Sequence, residues 1–424
     1  MNLVNRFSLA LAAAAAAGSA VAGAMDRPVG IKIGQRMTLK PYFSISASYD
    51  SNVEGRSNGA EDTIWVANPG LSLEYRSESW LAKANVFYQY NAYSKGNTSN
   101  AYSYHGYGED VTLSWTDSLP GEKGWSLMLS EKFQFINQIG DTIDAIGHEY
   151  GRDRQEFKFA GALERRITSQ LHGNVNASYY WLDYDNNNNQ NSSYGLYGWE
   201  RWTAGAEAGY AFSKWTDLLV AGSYQDYRQQ NRDNNYYAGR NPGYGQSAGS
   251  QGYTLQAGLG SYATERLTYR VLGGWSTFDY KEGGAASDGF TYTVSGNWKI
   301  SETWKASVMA TSYFQPTERE YGSSQRVDSF SMGVAHAMVQ GKLQGSADVA
   351  YRREGREYAA VSGYDYDLDI YSVRLGLTYI LNRYLQFYTN VEYRNSSSEG
   401  SGSSRGAYYD YDRFRGTLGM RFTY

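Results

Sequence analysis

Hydrophobic and polar residues alternate along almost the whole chain, from Leu39 to the C-terminus. The alternation comes in runs of roughly ten to fourteen residues, and each run is followed by a connection without it. In one run the apolar side is formed by Phe290, Tyr292, Val294, Gly296, Trp298 and Ile300, with polar residues between them. A period of two with one apolar and one polar side predicts a β-strand that separates two environments.

Eighteen such runs follow one another, and their connections alternate between short and long. Connections such as 77–79 and 301–303 are short, whereas 185–198, 228–249 and 395–407 are long and rich in Asn, Gly, Ser and Tyr. The repeating unit is therefore a hairpin rather than a compact domain. The runs begin near Leu39, Trp65, Trp80, Tyr104, Trp125, Arg154, Gln170, Glu200, Thr216, Ser250, Leu267, Gly289, Trp304, Arg326, Lys342, Leu368, Tyr384 and Tyr409.

The length of the runs decides between a soluble and a membrane β-protein. Strands of soluble sandwiches usually have about five or six residues. About eleven residues at about 3.3 Å each, tilted by about 40°, rise roughly 28 Å, which is close to the apolar band of an outer-membrane barrel. We therefore predict an all-β fold: a single transmembrane antiparallel up-and-down β-barrel of about 18 strands, with short periplasmic turns and long extracellular loops.

The N-terminal segment differs from the rest of the chain. A short basic start is followed by an alanine-rich apolar stretch and then by small residues. This layout is typical of a secretory signal peptide, so residues 1–24 are predicted as one, with cleavage after Ala22 or Ala24. A membrane anchor is the alternative, but the segment is short for one. Residues 25–38 would be a periplasmic N-terminal tail and 39–424 the barrel, which has no cysteine for disulfides.

Aromatic residues make up 16% of the chain and concentrate at the ends of the predicted strands. Trp80, Trp125 and Trp304 lie beside short connections, and Trp181 and Trp275 lie toward long ones. Aromatic belts at both interfaces are typical of outer-membrane barrels. The mean hydropathy of −0.60 is compatible with this fold, because only alternate residues of each strand contact lipid.

Three residues do not fit the alternation. Pro69 lies inside the second run and has no N–H for a sheet, so we expect a bulge or a later strand start near Gly70. Glu131 and His336 fall in phase with lipid-facing neighbours. Because an ionised Glu would be costly there, a local bulge near Glu131 is the expected explanation, and a functional role for either residue is the alternative.

The C-terminal sequence, residues 417–424, ends in alternating apolar side chains. With Gly419, Phe422 and Tyr424 it resembles the C-terminal β-signal that the outer-membrane assembly machinery recognises. The sequence from Leu39-Lys40-Pro41-Tyr42 to Tyr49-Asp50-Ser51-Asn52-Val53, together with the hairpin repeat, resembles the entry of the β-barrel porin family of type two. That resemblance implies a Gram-negative outer-membrane protein, and some relatives are associated with exopolysaccharide export.

A barrel of eighteen strands keeps an aqueous channel, so the charges of its inner wall would act on solutes. The alternation predicts six inward acids, Glu74, Glu156, Glu164, Glu207, Asp348 and Glu392. It predicts twelve inward basic residues, Lys83, Lys132, Lys158, Arg270, Lys299, Lys305, Arg352, Arg374, Arg394, Arg413, Arg415 and Arg421. Such a wall favours anions, unless charges of both signs merely pair across strands. The compensating acids would then lie mostly in the loops, with Asp62 among the candidates.

No residue pattern indicates catalysis. The four histidines, His105, His148, His172 and His336, are not part of a recognisable nucleophile–base arrangement, and there is no phosphate loop, metal motif or nucleic-acid patch. We therefore expect a non-enzymatic, porin-like channel without cofactor for passive passage of hydrophilic, anionic or saccharide-containing solutes. The alternative is the outer-membrane component of an exopolysaccharide export system. Expected partners are outer-membrane lipid and lipopolysaccharide, the assembly machinery, and the solutes or polysaccharide; the oligomeric state is left open.

Overall fold

The computed structural model of the protein describes residues 30–53, 59–95, 103–117, 123–137, 153–184, 198–213, 215–230, 249–261, 266–280, 286–316, 324–357, 366–400 and 410–424. The predicted signal peptide lies outside these residues. Within them, no helix is long and apolar enough to cross a membrane.

The described residues form one short strand, β1, and eighteen long strands, β2 to β19. Every predicted strand start lies within three residues of an observed one. The strands are β1 Ile31–Ile33, β2 Met37–Asp50, β3 Asp62–Arg76, β4 Trp80–Tyr93, β5 Ser103–Thr116, β6 Gly124–Asn137, β7 Asp153–Arg166, β8 Leu171–Tyr184, β9 Gly198–Ala211, β10 Asp217–Gln230, β11 Gly249–Ser261, β12 Leu267–Tyr280, β13 Ser287–Lys299, β14 Trp304–Pro316, β15 Ser324–Met338, β16 Leu343–Glu357, β17 Tyr366–Ile380, β18 Leu385–Gly400 and β19 Tyr411–Thr423.

The long strands close into a barrel. Each pairs antiparallel with the next in the chain, and β19 pairs with β2 from Arg415↔Asp50 to Thr423↔Tyr42. This confirms the predicted antiparallel barrel of eighteen strands. The additional strand β1 lies in the predicted N-terminal tail and pairs with the first residues of β2.

The outward side of the barrel is apolar and ends in aromatic residues. Trp80 and Trp115 lie opposite each other at the short-turn end, with ring centroids 6.1 Å apart. Trp275 pairs with Phe290 toward the long loops, and both side chains are exposed. Residues of this kind at both strand ends form the two interfacial belts of a membrane barrel.

Pro69 interrupts pairing, but it causes neither a bulge nor a later strand start. The expectation of one of these features near Gly70 was therefore wrong. β3 runs straight through Pro69, which lies opposite Phe43 of β2. Toward β4 the pairing stops at Ala67, resumes at Gly70, and keeps the same register. The missing N–H therefore removes only local pairing, because the other neighbour holds the strand in place.

Glu131 also lies in a regular strand, and the expected bulge is absent from the described residues. It pairs with Val111 of β5 and with Phe159 of β7 in unbroken registers, so it points outward. Glu109 on β5 points to the same side, diagonally next to Glu131. His336 is outward as well, but it lies opposite Trp304 at the short-turn end, with ring centroids 4.0 Å apart.

The β13–β14 ladder is incomplete. These strands form seven residue pairs, from the short-turn end up to Thr293↔Thr311, whereas all other neighbouring barrel strands form nine or more. On the extracellular side of the Thr293↔Thr311 pair, β13 stays paired with β12. β14 stays paired with β15 as far as Pro316↔Ser324. The barrel wall therefore has a notch in its extracellular half between β13 and β14.

The extracellular end of β14, residues 312–316, lies inside the barrel. We call these residues, together with their partners 324–328 on β15, which stay paired with β16, the inner hairpin. The side-chain amide of Gln225, an inward residue of β10, donates a hydrogen bond to the Phe314 carbonyl at 3.4 Å. The Phe314 ring also lies 3.4 Å from the point where a Cβ on Gly289 would be. Since β10 is four strands away from β14, this segment has left the wall.

Candidate functional site: the inner wall of the barrel

Residues paired directly across two strands point to the same side of the sheet. Leu418, Met420 and Phe422 are exposed and apolar, and mark the outward side of β19. Following the ladders from there places all twelve predicted basic residues on the inner wall, where Lys83 lies opposite Glu74 and Arg374 opposite Glu392. The six predicted acids lie on the same wall.

The inner wall carries further charges that the sequence reasoning did not place there. Five carboxylates, including Asp62 that was expected in a loop, reduce the positive excess, and four cations add to it. Most of the carboxylates sit at strand ends, where a run of alternation is hard to separate from a loop. The additional inward residues are Asp50, Asp62, Asp110, Asp217, Glu354, Lys40, Arg76, Arg166 and Arg201.

Two arginines share one carboxylate where the barrel closes. Asp50, at the end of β2, is fully buried, and Arg413 is 4% exposed. The Arg413 Nε lies 3.0 Å from both carboxylate oxygens, and the Arg415 Nε lies 3.0 Å from Oδ2. The backbone N–H of Asn52 donates to the same carboxylate at 3.0 Å. This network joins the first and last barrel strands and leaves Arg413 inaccessible to a passing solute.

The other inward arginines with described ion pairs are compensated in the same way. Glu392 accepts from Arg374 at 2.8 Å and from Arg394 at 3.2 Å. Arg352 pairs with the buried Glu354 at 2.7 Å, and Arg270 pairs with Glu207. The alternative in which wall charges of both signs pair with each other therefore describes these arginines better than free cations do.

Lysines provide the accessible positive charge. Lys83, Lys132 and Lys305 are exposed to the lumen, and none of them has an ion-pair partner within the described ranges. Lys299 instead reaches Glu302 in the following turn at 2.7 Å. The Arg421 guanidinium lies over the Tyr42 ring, 4.4 Å from its centroid.

Apolar side chains also pack at the extracellular end of the inner wall. Val53, just after β2, is buried against Ile64 and Tyr93. Leu182 packs with Tyr227, and further buried apolar side chains lie on β17. With the extracellular end of β14, these buried side chains occupy the extracellular end of the lumen.

The predicted assembly-signal residues lie on both sides of β19. Phe422 and Tyr424 are outward and stack with Tyr384, at centroid distances of 6.2 and 5.8 Å. Gly419 is inward, and a Cβ there would overlap the Tyr388 ring. Only glycine permits this close approach of the ring to the last strand. Recognition by the assembly machinery remains a prediction.

Groups for metal or acid–base chemistry are sparse. His172 contacts Asp217 at 3.2 Å, and both are buried on the inner wall. In the part of the chain that the structure describes, no three His, Cys, Asp or Glu residues are arranged to hold a metal ion. What the wall offers is therefore charge, hydrogen bonding and a confined path.

A closed antiparallel barrel with an apolar outer surface and a charged inner wall defines an outer-membrane β-barrel of the channel-forming class. Residues 220–424, from β10 to the C-terminus, match the family described as "Putative beta-barrel porin 2". The match confirms the resemblance to this family that was derived from the sequence.

Solved structures give more distant likenesses. A mutant of the ferric enterobactin receptor of Pseudomonas aeruginosa is 7% identical over 93% of this chain and 81% of its own, with a TM-score of 0.46. The FrpB iron transporter of Neisseria meningitidis is 11% identical over 88% and 63%, with a TM-score of 0.47. At such values the likenesses carry no argument about this chain. The search of curated proteins gave no significant match.

Proposed function

We propose that the protein is a passive outer-membrane channel for hydrophilic solutes that favours anions. The observation that carries this proposal is the asymmetry of the inner wall: its arginines are largely paired, whereas Lys83, Lys132 and Lys305 are exposed and unpaired in the described ranges. Within a confined aqueous path bounded by low-dielectric walls, such charges raise the local concentration of anions. Phosphorylated or acidic saccharides are solutes of this kind.

Planar-bilayer recordings with purified protein test this proposal. We expect unit conductance and a reversal potential that indicates anion preference in a salt gradient. Replacing Lys83, Lys132 and Lys305 together by Gln should reduce the anion preference, since the three free charges are removed while the paired arginines remain. The matched control is Arg165→Gln, because Arg165 points outward beside Trp125 and should not affect the reversal potential.

Each part of the proposal can fail separately. If no current passes through correctly folded protein, the channel itself is refuted. Cation preference of the unaltered protein would refute the anion selectivity. A triple variant with unchanged selectivity would show that these lysines do not select.

Export of a polysaccharide is the second candidate, because side chains packed inside the extracellular end of the barrel suit a channel that must open for its cargo. Unchanged surface polysaccharide after deletion of the gene would count against it.

We further propose that the mature protein starts after Ala22 or Ala24, inserts through the assembly machinery, and contacts lipid and lipopolysaccharide. N-terminal sequencing of the protein isolated from membranes tests the start.

A further inference from the structure

The inner hairpin and the end of β13 have matching unpaired edges. If the β13–β14 register continued beyond Thr293↔Thr311, it would place Tyr292 opposite Ser312 and Phe290 opposite Phe314. All of these residues already have extended conformation. The register therefore defines a second position of the hairpin, in which the notch in the wall is closed.

The side-chain pattern fits this second position. Outward positions of β14 are Trp304, Ala306, Val308 and Ala310, and the same phase continues to Phe314. In the wall, Phe314 would lie beside Phe290, which is 54% exposed at the level of the extracellular aromatic belt. In the observed position Phe314 is instead 7% exposed.

The observed position differs from the wall position only on the β13 side of β14, because the β14–β15 and β15–β16 ladders are unbroken. On that side, the contacts of β14 include the Gln225–Phe314 hydrogen bond, and the Tyr292 hydroxyl of β13 lies near the Asp328 carboxylate of β15. The Ser312 hydroxyl is buried without a hydrogen-bond partner among the described residues. Unpaired strand edges and an unsatisfied hydroxyl disfavour this position, whereas burial of Phe314 favours it. Opposing contributions of this kind suit a segment with two accessible positions.

We propose that the inner hairpin is a gate: it narrows the extracellular mouth when it lies inside the barrel, and it widens the mouth when it pairs with β13 in the wall. This inference rests on the proposed channel function and adds its regulation. Only the extracellular end of β14 has to move, because the seven periplasmic pairs between β13 and β14 and the whole β15–β16 ladder stay in place.

The protein contains no cysteine, so introduced pairs report the two positions directly. Directly opposed residues of antiparallel strands have Cα atoms about 4.5–5.5 Å apart, within the range for a disulfide. Phe290→Cys with Phe314→Cys should form a disulfide only when the hairpin is in the wall. Thr291→Cys with Tyr313→Cys probes the same register while retaining Phe314. The control pair is Gly296→Cys with Val308→Cys, which are already opposed.

We expect both gate pairs to become oxidised in membranes, more slowly than the control pair, as measured by mass spectrometry. The oxidised gate variants should show a higher unit conductance that returns to the original value on reduction, whereas the control pair should show no such change. If the control pair oxidises and neither gate pair does, the second position does not exist. Oxidation without a change in conductance would refute the gate. Oxidation of a barrel that never conducts would instead refute the channel function, and the gate with it.

Discussion

Replacing Glu131 by Leu should stabilise the barrel. Glu131 lies six residues beyond Trp125 on β6, on the outward side. Six residues at about 3.3 Å with a tilt of about 40° place it roughly 15 Å above the periplasmic belt, near the middle of an apolar band about 25 Å tall. Within the described ranges, neither Glu131 nor its diagonal neighbour Glu109 has an ion-pair partner.

The expected gain follows from the depth of this side chain. A lysine or arginine at the midplane of a barrel's lipid face costs about 2–4 kcal/mol, and acidic residues cost less. We therefore expect Glu131→Leu to raise the free energy of unfolding by about 1–2 kcal/mol. Glu109→Leu should act similarly, and the double variant should gain less than the sum, because each single change already removes the repulsion between the two carboxylates.

The assay is reversible urea unfolding in phospholipid vesicles, followed by tryptophan fluorescence, with the slope of the unfolding curve checked for constancy. Asp110→Leu is the matched control: it lies on the same strand as Glu109 but points into the lumen, so no gain is expected. A lower stability of Glu131→Leu, or failure of this variant to insert, would refute the reasoning. Such a result would mean that the carboxylate has a partner within the membrane.

Three further predictions concern other parts of the barrel. Gly419→Val should destabilise the last strand and slow insertion, because its Cβ would overlap the Tyr388 ring; heat-modifiable gel migration measures this. Asp50→Asn should cost about 3–5 kcal/mol in vesicle unfolding, since it leaves two arginines without their shared carboxylate, and an unchanged midpoint would contradict this. Hydrogen bonds from Lys95 and Tyr49 lower the pKa of Glu61, so NMR titration should find it below the usual glutamate value. The Glu61 carboxylate should stabilise the folded protein at pH values above the pKa that this group has in the unfolded chain. This stabilisation should disappear as the pH falls through the lowered pKa of the folded protein.

Much of the barrel follows from the alternation of side chains, because a wall between lipid and water imposes a period of two on each strand. That constraint accounts for the strand starts and for the inward side of residues such as Lys83 and Arg374. It says nothing about which charges pair: Arg413 meets Asp50 only because the chain closes on itself. The accessible lysines could therefore be distinguished from the paired arginines only in three dimensions.

The exceptions have separate physical reasons. Pro69 needs no bulge, because one intact ladder is enough to keep a strand straight. Glu131 remains outward, because shifting it would turn every following residue of β6 to the wrong side. The inward position of Phe314 could not be predicted from the sequence, since its phase is that of a wall residue and contacts with Gln225, distant in the chain, hold it elsewhere.

The pairing of β19 with β2 has a consequence for biogenesis. Other neighbouring barrel strands lie close in sequence, but the hydrogen bond between Ser48 and Thr417 joins residues 369 positions apart. Such a contact is slow to form, because the long chain between the two residues must become ordered before the contact can be made. Until then the sheet has two open edges, and each can pair with other chains. These two edges therefore need to be shielded until β19 pairs with β2.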